Sequence, residues 1–150
     1  MLLLTAMVGL SVWAQSADKL YEEGKKLYDA KDYAAAVPKL RTAAEKGHKK
    51  AQYRLGRCYA KGHGISEDDQ VAVQWYAKSA AQGYAKAEYR LGRAYFKGKG
   101  IAVDKKLAKK WLSRAVAHEK SGKEILADLR KDAAEGDEDA KAMLALIGKK

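Results

Sequence analysis

A chain of 150 residues suffices for one domain, and 47% apolar residues allow that domain a core. The apolar set is dominated by Ala, Leu and Tyr, with a single Phe and a single Pro, which favours helix and excludes a turn-dense all-β fold. A formal charge of +11 draws acidic partners, and one cysteine excludes an internal disulfide framework.

The first element is not part of the fold. Met1 to Ala14, MLLLTAMVGLSVWA, carries no charged side chain and ends in a small-x-small pattern at Val12 and Ala14. It reads as a secretory signal peptide occupying residues 1–17, with cleavage after Ala14 or Ala17. The run is too short for a comfortable transmembrane span, so the mature chain is expected to have none. A periplasmic or secreted location follows, and export makes nucleic acid the least expected acidic partner.

Residues 18–150 read as one repeat domain, with units at about 18–48, 49–84 and 85–119 and a C-terminal extra helix and capping helix over 120–148. In the first unit, Asp32 is placed to cap a second helix, and Pro38 falls just past that helix's first turn. The second and third units repeat at an offset of 36 residues: Leu55, Gly56, Tyr59, Gly62, Gly64 and Ile65 match Leu91, Gly92, Tyr95, Gly98, Gly100 and Ile101. Asp68, Ala72 and Trp75 match Asp104, Ala108 and Trp111 in the same way. Leu and Tyr four apart give an apolar stripe at helical spacing. The Gly-x-Gly pairs end each first helix, and Asp68 and Asp104 cap each second helix. The inner face of the second helices is assigned to Ala72, Trp75 and Tyr76, then Ala108, Trp111 and Leu112, with both tryptophans largely buried. Glycine inside a helix costs about 1 kcal/mol, so Gly56 and Gly92 require close helix packing. After an extra helix over roughly 119–132, Ala140 and Leu144 restart a first helix as a degenerate cap.

These residues carry a family resemblance. Gly24, Ala36, Leu40 and Ala43 fall where a tetratricopeptide repeat has its signature positions. The stretches Ala51–Trp75 and Ala87–Trp111 resemble Sel-one-like repeats (SLR). The resemblance implies an all-α right-handed αα-superhelix, a solenoid whose first helices line the concave side, and a role as adaptor or scaffold. Some cysteine-rich secreted relatives are described as penicillin-binding or β-lactamase-like. Those carry a disulfide in each repeat, which a single cysteine cannot form.

No catalytic constellation emerges, so neither an enzyme nor a cofactor is expected. His48, His63 and His118 lack metal-ligand spacing. Cys58 stands where the next unit has Ala94, which makes it a small packed residue. Ser16 and Lys19 formally match an S-x-x-K signature, but at the signal-peptide junction, outside any rigid element.

Partner binding is assigned to the first helices. Positions counted from the signature glycine place Tyr21 and Lys25 in the first unit, Lys50, Tyr53, Arg54 and Arg57 in the second, and Lys86, Tyr89, Arg90 and Arg93 in the third. Tyrosine offers amphipathic area and arginine offers forked donors for carboxylates. The expected ligand is a protein with an acidic or extended peptide segment in the concave groove. The alternative for these residues is a solvated basic face with tyrosines packed between helices. The alternative functions are a penicillin-binding or β-lactamase-like hydrolase and an anionic glycan binder.

Overall fold

The structure is a computed structural model that describes residues 15–150, so the apolar run Met1–Ala14 lies outside the described residues. Eight α-helices and no strand are present among the described residues: α1 (Ala17–Asp29), α2 (Tyr33–Glu45), α3 (Lys49–Lys61), α4 (Asp69–Ala81), α5 (Ala85–Lys97), α6 (Lys105–Ala117), α7 (Ser121–Ala134) and α8 (Glu138–Leu146). The chain divides into two compact units, one ending at Glu67 and one beginning at Asp68.

The helix boundaries follow from local chemistry. Asp32, Asp68 and Asp104 cap α2, α4 and α6, each carboxylate accepting from the backbone N–H three residues on. Such a cap contributes about 1 kcal/mol. Ser16 does the same for α1, its Oγ accepting from Lys19 N–H at 3.1 Å. The S-x-x-K spacing is therefore a capping interval on a regular helix, not a segment outside any rigid element. At the C-terminal ends of α3 and α5, Gly62 and Gly98 take left-handed backbone at φ 64° and 71°. The second glycine of each pair has another reason. A Cβ on Gly64 would overlap the Tyr33 carbonyl, and one on Gly100 would overlap that of Asp69, so each loop lies against the start of the preceding second helix.

In the first unit α1 packs on α2 and α2 on α3. Leu20, Ala36, Leu40, Ala43, Leu55 and Cys58 are fully buried there. Burying each leucine stabilises by roughly 1.5–3 kcal/mol. A Cβ on Gly24 would stand 2.9 Å from Leu40 Cγ, so the glycine lets α1 and α2 close on each other. In the second unit α4 packs on α5, α5 on α6, α6 on α7 and α7 on α8. Its core joins Phe96, Ala108, Leu112, Leu129, Ala140, Met143 and Leu144. Gly92 repeats the Gly24 device, with Leu112 Cγ 2.8 Å from the added Cβ.

The tryptophans lie at the edge of the buried stripe. Trp75 and Trp111 are mostly but not fully buried, while Tyr76 and Leu112 beside them are buried. Adjacent helix residues point about 100° apart. The inward arc of α4 centres on Ala72, Tyr76 and Ala80, so Trp75 falls on its flank. Cations cover the exposed ring faces instead: Lys78 Nζ is 4.4 Å from the Trp75 centroid, and Arg114 Cζ is 5.0 Å from that of Trp111.

Candidate interaction faces

In the first unit the cationic positions converge on tyrosines of α1. Arg54 donates to Asp29 at 3.2 Å, and its guanidinium lies 5.3 Å over the Tyr28 ring. Burial opposes the Arg54 charge, but hydrogen bonding and charge from Tyr21, and then from Asp29, outweigh it and raise its pKa. Arg57 covers the same Tyr28 ring at 5.6 Å and has no carboxylate partner among the described residues; its Nε is buried without a hydrogen-bond acceptor. Lys25 shares Asp29 with Arg54, at 3.5 Å. Lys50 is exposed.

The tyrosines of this set are interior. Tyr21 is 6% exposed and Tyr53 is 8% exposed, so their ring area is already spent on the fold. Tyr21 stacks on His48 at 4.4 Å. Tyr21 and Tyr53 thus pack between helices, while Arg54 and Arg57 are partly buried beside them. The reason is geometric. The residue three before the signature glycine lies one turn back along the same buried stripe, because positions three and four apart share a helix face.

Sequence comparison alone missed an aromatic cluster beside Arg57. The Tyr28 hydroxyl meets His63 Nδ1 at 3.1 Å, and Tyr33 stacks on the His63 ring at 4.1 Å. His63 sits between the two loop glycines, and only tertiary folding brings it to α1 and α2. Burial is the main cause of a raised Tyr28 pKa.

In the second unit, Lys86 is exposed, and Arg93 lies 5.6 Å over the half-buried Tyr89 ring. Burial is again the main cause of a raised Tyr89 pKa. Tyr89 packs against the clusters built on Phe96 and on Ala115. Arg90 is partly buried on the same helix. Within this unit Glu88 is fully buried and held by Arg114 and His118. A cavity of about 260 Å³ opens beside it, lined by Gly83, Glu88, Arg114, Ala117 and His118. A signal for Glu88 existed in the repeat itself, since the equivalent residue of the preceding unit is Gln52.

The remaining candidates for chemistry are occupied structurally. Cys58 is fully buried, and desolvation pushes its thiol up to about 11, which is the opposite of what a nucleophile needs. His48 caps α3, its Nδ1 accepting from Ala51 N–H at 3.1 Å, and its Nε2 faces Asp18 at 3.2 Å. Ser16 Oγ is engaged as a cap. Among the described residues no group of three or more His, Cys, Asp or Glu is placed to hold a metal ion, and no helix is long and apolar enough to cross a membrane.

Comparison with known proteins places the chain in a family. The Sel1 repeat matches residues 49–84 and 85–119. A Sel1 repeat protein from Oxalobacter formigenes is similar in structure, with a TM-score of 0.63 and 33% identity over 86% of this chain and 87% of that one. A protective antigen of uropathogenic Escherichia coli strains, which displays an SLR fold, is similar at a TM-score of 0.70 and 28% identity, over 95% of this chain and 32% of that one. None of the curated proteins matches. Sel1 repeat proteins are generally protein-interaction scaffolds. Eight helices, no strand among the described residues and these neighbours make the fold an all-α helical repeat solenoid, and the chain belongs to the Sel1 repeat family.

Proposed function

We propose that this chain is a protein-binding module of the periplasm or cell exterior whose first helices take an acidic, extended segment of a partner. The observation that carries the reading is the surplus of cations over carboxylates on α3 and the ring-held arginines of α3 and α5. α3 has Lys49, Lys50, Arg54, Arg57 and Lys61 and no acidic residue. Only Arg54 of its arginines has a carboxylate, and Arg57 is held in place by the Tyr28 ring without one. On α5 of the second unit, Lys86 is exposed and Arg93 is held against Tyr89. A cation fixed by an aromatic ring loses little side-chain freedom when a carboxylate arrives, so its ordering cost on binding is small. Each exposed pair contributes only about 0.2–1 kcal/mol, so affinity has to come from several such contacts.

The location rests on the uncharged run Met1–Ala14, and mass spectrometry of exported protein that found Met1 retained would overturn it. For binding, fluorescence anisotropy with a Glu-rich peptide and a neutral peptide of equal length is the direct test. The acidic peptide binds in a salt-sensitive manner, and Lys50→Glu with Lys86→Glu weakens it about tenfold or more, with melting temperature unchanged. Equal binding of both peptides, or full affinity in the double variant, would overturn the reading.

A further inference from the structure

The outer face of α6 is a second basic surface, chemically unlike the first helices. α6 carries Lys105, Lys106, Lys109, Lys110 and Arg114 and no acidic residue. Two of these are committed within the fold. Lys105 donates to the Phe96 carbonyl at 2.7 Å and lies 3.2 Å over the Phe96 ring. Arg114 is taken by Glu88. Lys106, Lys109 and Lys110 are exposed, and none of them is in an ion pair among the described residues. Ala108, Leu112 and Ala115 anchor the opposite side of the helix in the core, so the lysine face points to water.

Two apolar groups border this face. Trp111 is mostly but not fully buried, with Lys110 Nζ 5.6 Å and Arg114 Cζ 5.0 Å from its ring centre. Val103, just before the Asp104 cap, is 57% exposed and is the one exposed large hydrophobic residue among those described.

We propose that this α6 face docks on the surface of a bilayer containing anionic phospholipid. Charge complementarity carries the assignment, and residue type selects the occupant. A site that reads a shaped carboxylate partner uses arginine forks, and the only arginine of this helix is held by Glu88. Lysines are compact charges on flexible stems, suited to headgroups that move laterally. A tryptophan flanked by cations fits the headgroup level, where its apolar ring body and its N–H are both satisfied. Because the apolar stripe of α6 is buried in the core, binding is peripheral, electrostatic and sensitive to salt, with Trp111 and Val103 making shallow contacts.

The test uses the full chain with Trp13→Phe and Trp75→Phe, which leaves Trp111 as the only tryptophan. Phosphatidylglycerol-containing vesicles carrying brominated lipid quench Trp111, and pure phosphatidylcholine vesicles do not. Lys106→Glu, Lys109→Glu and Lys110→Glu together abolish the quenching and lower partitioning roughly 100-fold or more, at about fivefold per lysine. The corresponding glutamine triple, which adds no repulsion, lowers it in the same direction, with circular dichroism unchanged for both. A control of equal charge, Lys19→Glu with Lys26→Glu and Lys123→Glu, leaves quenching intact, as does Lys50→Glu with Lys86→Glu. Local quenching separates this face from any contact made by the apolar N-terminal run. Three outcomes overturn the proposal: Trp111 unquenched in vesicle-bound protein, equal loss in the control triple, or capture of soluble polyglutamate by this face without vesicle binding. The last would make it an acidic-protein face.

Discussion

Arg114 grips one oxygen of the Glu88 carboxylate with two nitrogens, Nη2 at 3.0 Å and Nε at 3.1 Å, while His118 Nε2 meets the other oxygen at 2.9 Å. Glu88 is fully buried. In the preceding unit the equivalent Gln52 donates to the Ala44 carbonyl at 3.2 Å. A carboxylate cannot make that bond, so the second unit recruits two side chains from the following second helix and its end. Arg114→Met leaves a buried carboxylate with His118 alone. The expected cost is about 2–3 kcal/mol, below the roughly 3–5 kcal/mol of a wholly buried pair because half of the Arg114 side chain meets water. Glu88→Gln with Arg114→Met recovers most of that loss in urea unfolding. A double variant no more stable than Arg114→Met would show that the charge is not what Arg114 compensates.

His48 links the α3 cap to pH. Burial is the main cause of its lowered pKa, against the raising effect of Asp18. A depressed histidine contributes stability that is present above its unfolded value and is lost as pH falls through the folded one. Protonation of Nδ1 also removes the acceptor for Ala51 N–H. Wild type is expected to lose stability relative to His48→Asn between neutral pH and acid below the ordinary histidine range, since asparagine caps without titrating. Parallel pH profiles for the two proteins would contradict this.

Cys58 is expected to react with thiol reagents only after unfolding. Its thiol is buried and pushed up to about 11. Since the folded pKa is raised, its contribution to stability is full below the unfolded value and declines as pH rises toward the folded one. Cys58→Ala, which reproduces Ala94 of the next unit, costs about 1 kcal/mol or less at neutral pH. Wild type then loses ground to the variant in alkali. Rapid labelling of the native protein would show that the thiol is accessible.

Gly92→Ala tests the close approach of α5 and α6. The new methyl would stand 2.8 Å from Leu112 Cγ. Overpacking costs about 1–3 kcal/mol, against about 1 kcal/mol of helix propensity gained. Net destabilisation is expected, and it is relieved in Gly92→Ala with Leu112→Ala relative to Leu112→Ala alone. Stabilisation by Gly92→Ala alone would mean that the helices yield without strain.

Incomplete burial of Trp75 and Trp111 predicts that acrylamide quenches both in the native state, and that truncation of either to Ala costs clearly less than the roughly 3–5 kcal/mol of a core tryptophan. Quenching confined to the unfolded protein would contradict the flanking position.

Local rules explain most of what was legible in advance. The offset of 36 residues located the caps Asp32, Asp68 and Asp104 and the left-handed glycines Gly62 and Gly98, because caps and turns depend on a few neighbouring residues. Ala140 and Leu144 are buried in α8, as their correspondence to Ala51 and Leu55 requires. The same spacing could not tell how deeply Trp75 and Trp111 sit, since an apolar residue on the edge of a helix stripe looks inward in a pattern and is only partly enclosed in space.

Of the candidate binding residues, the sequence by itself determined which positions carry charge and which helix they ride on. The second of the paired loop glycines was equally visible, although its reason, contact with the Tyr33 and Asp69 carbonyls, was not. Only the tertiary structure decided that Tyr21 and Tyr53 are interior, that Asp29 serves both Lys25 and Arg54, and that Arg57 keeps no carboxylate among the described residues. It likewise decided that Glu88 takes Arg114 while Lys106, Lys109 and Lys110 form no ion pair among the described residues. Helix periodicity fixes a residue's direction around one axis. Which groups meet across helices depends on how two axes are packed, and charge pairing over separations such as the 26 residues from Glu88 to Arg114 exists only once they are.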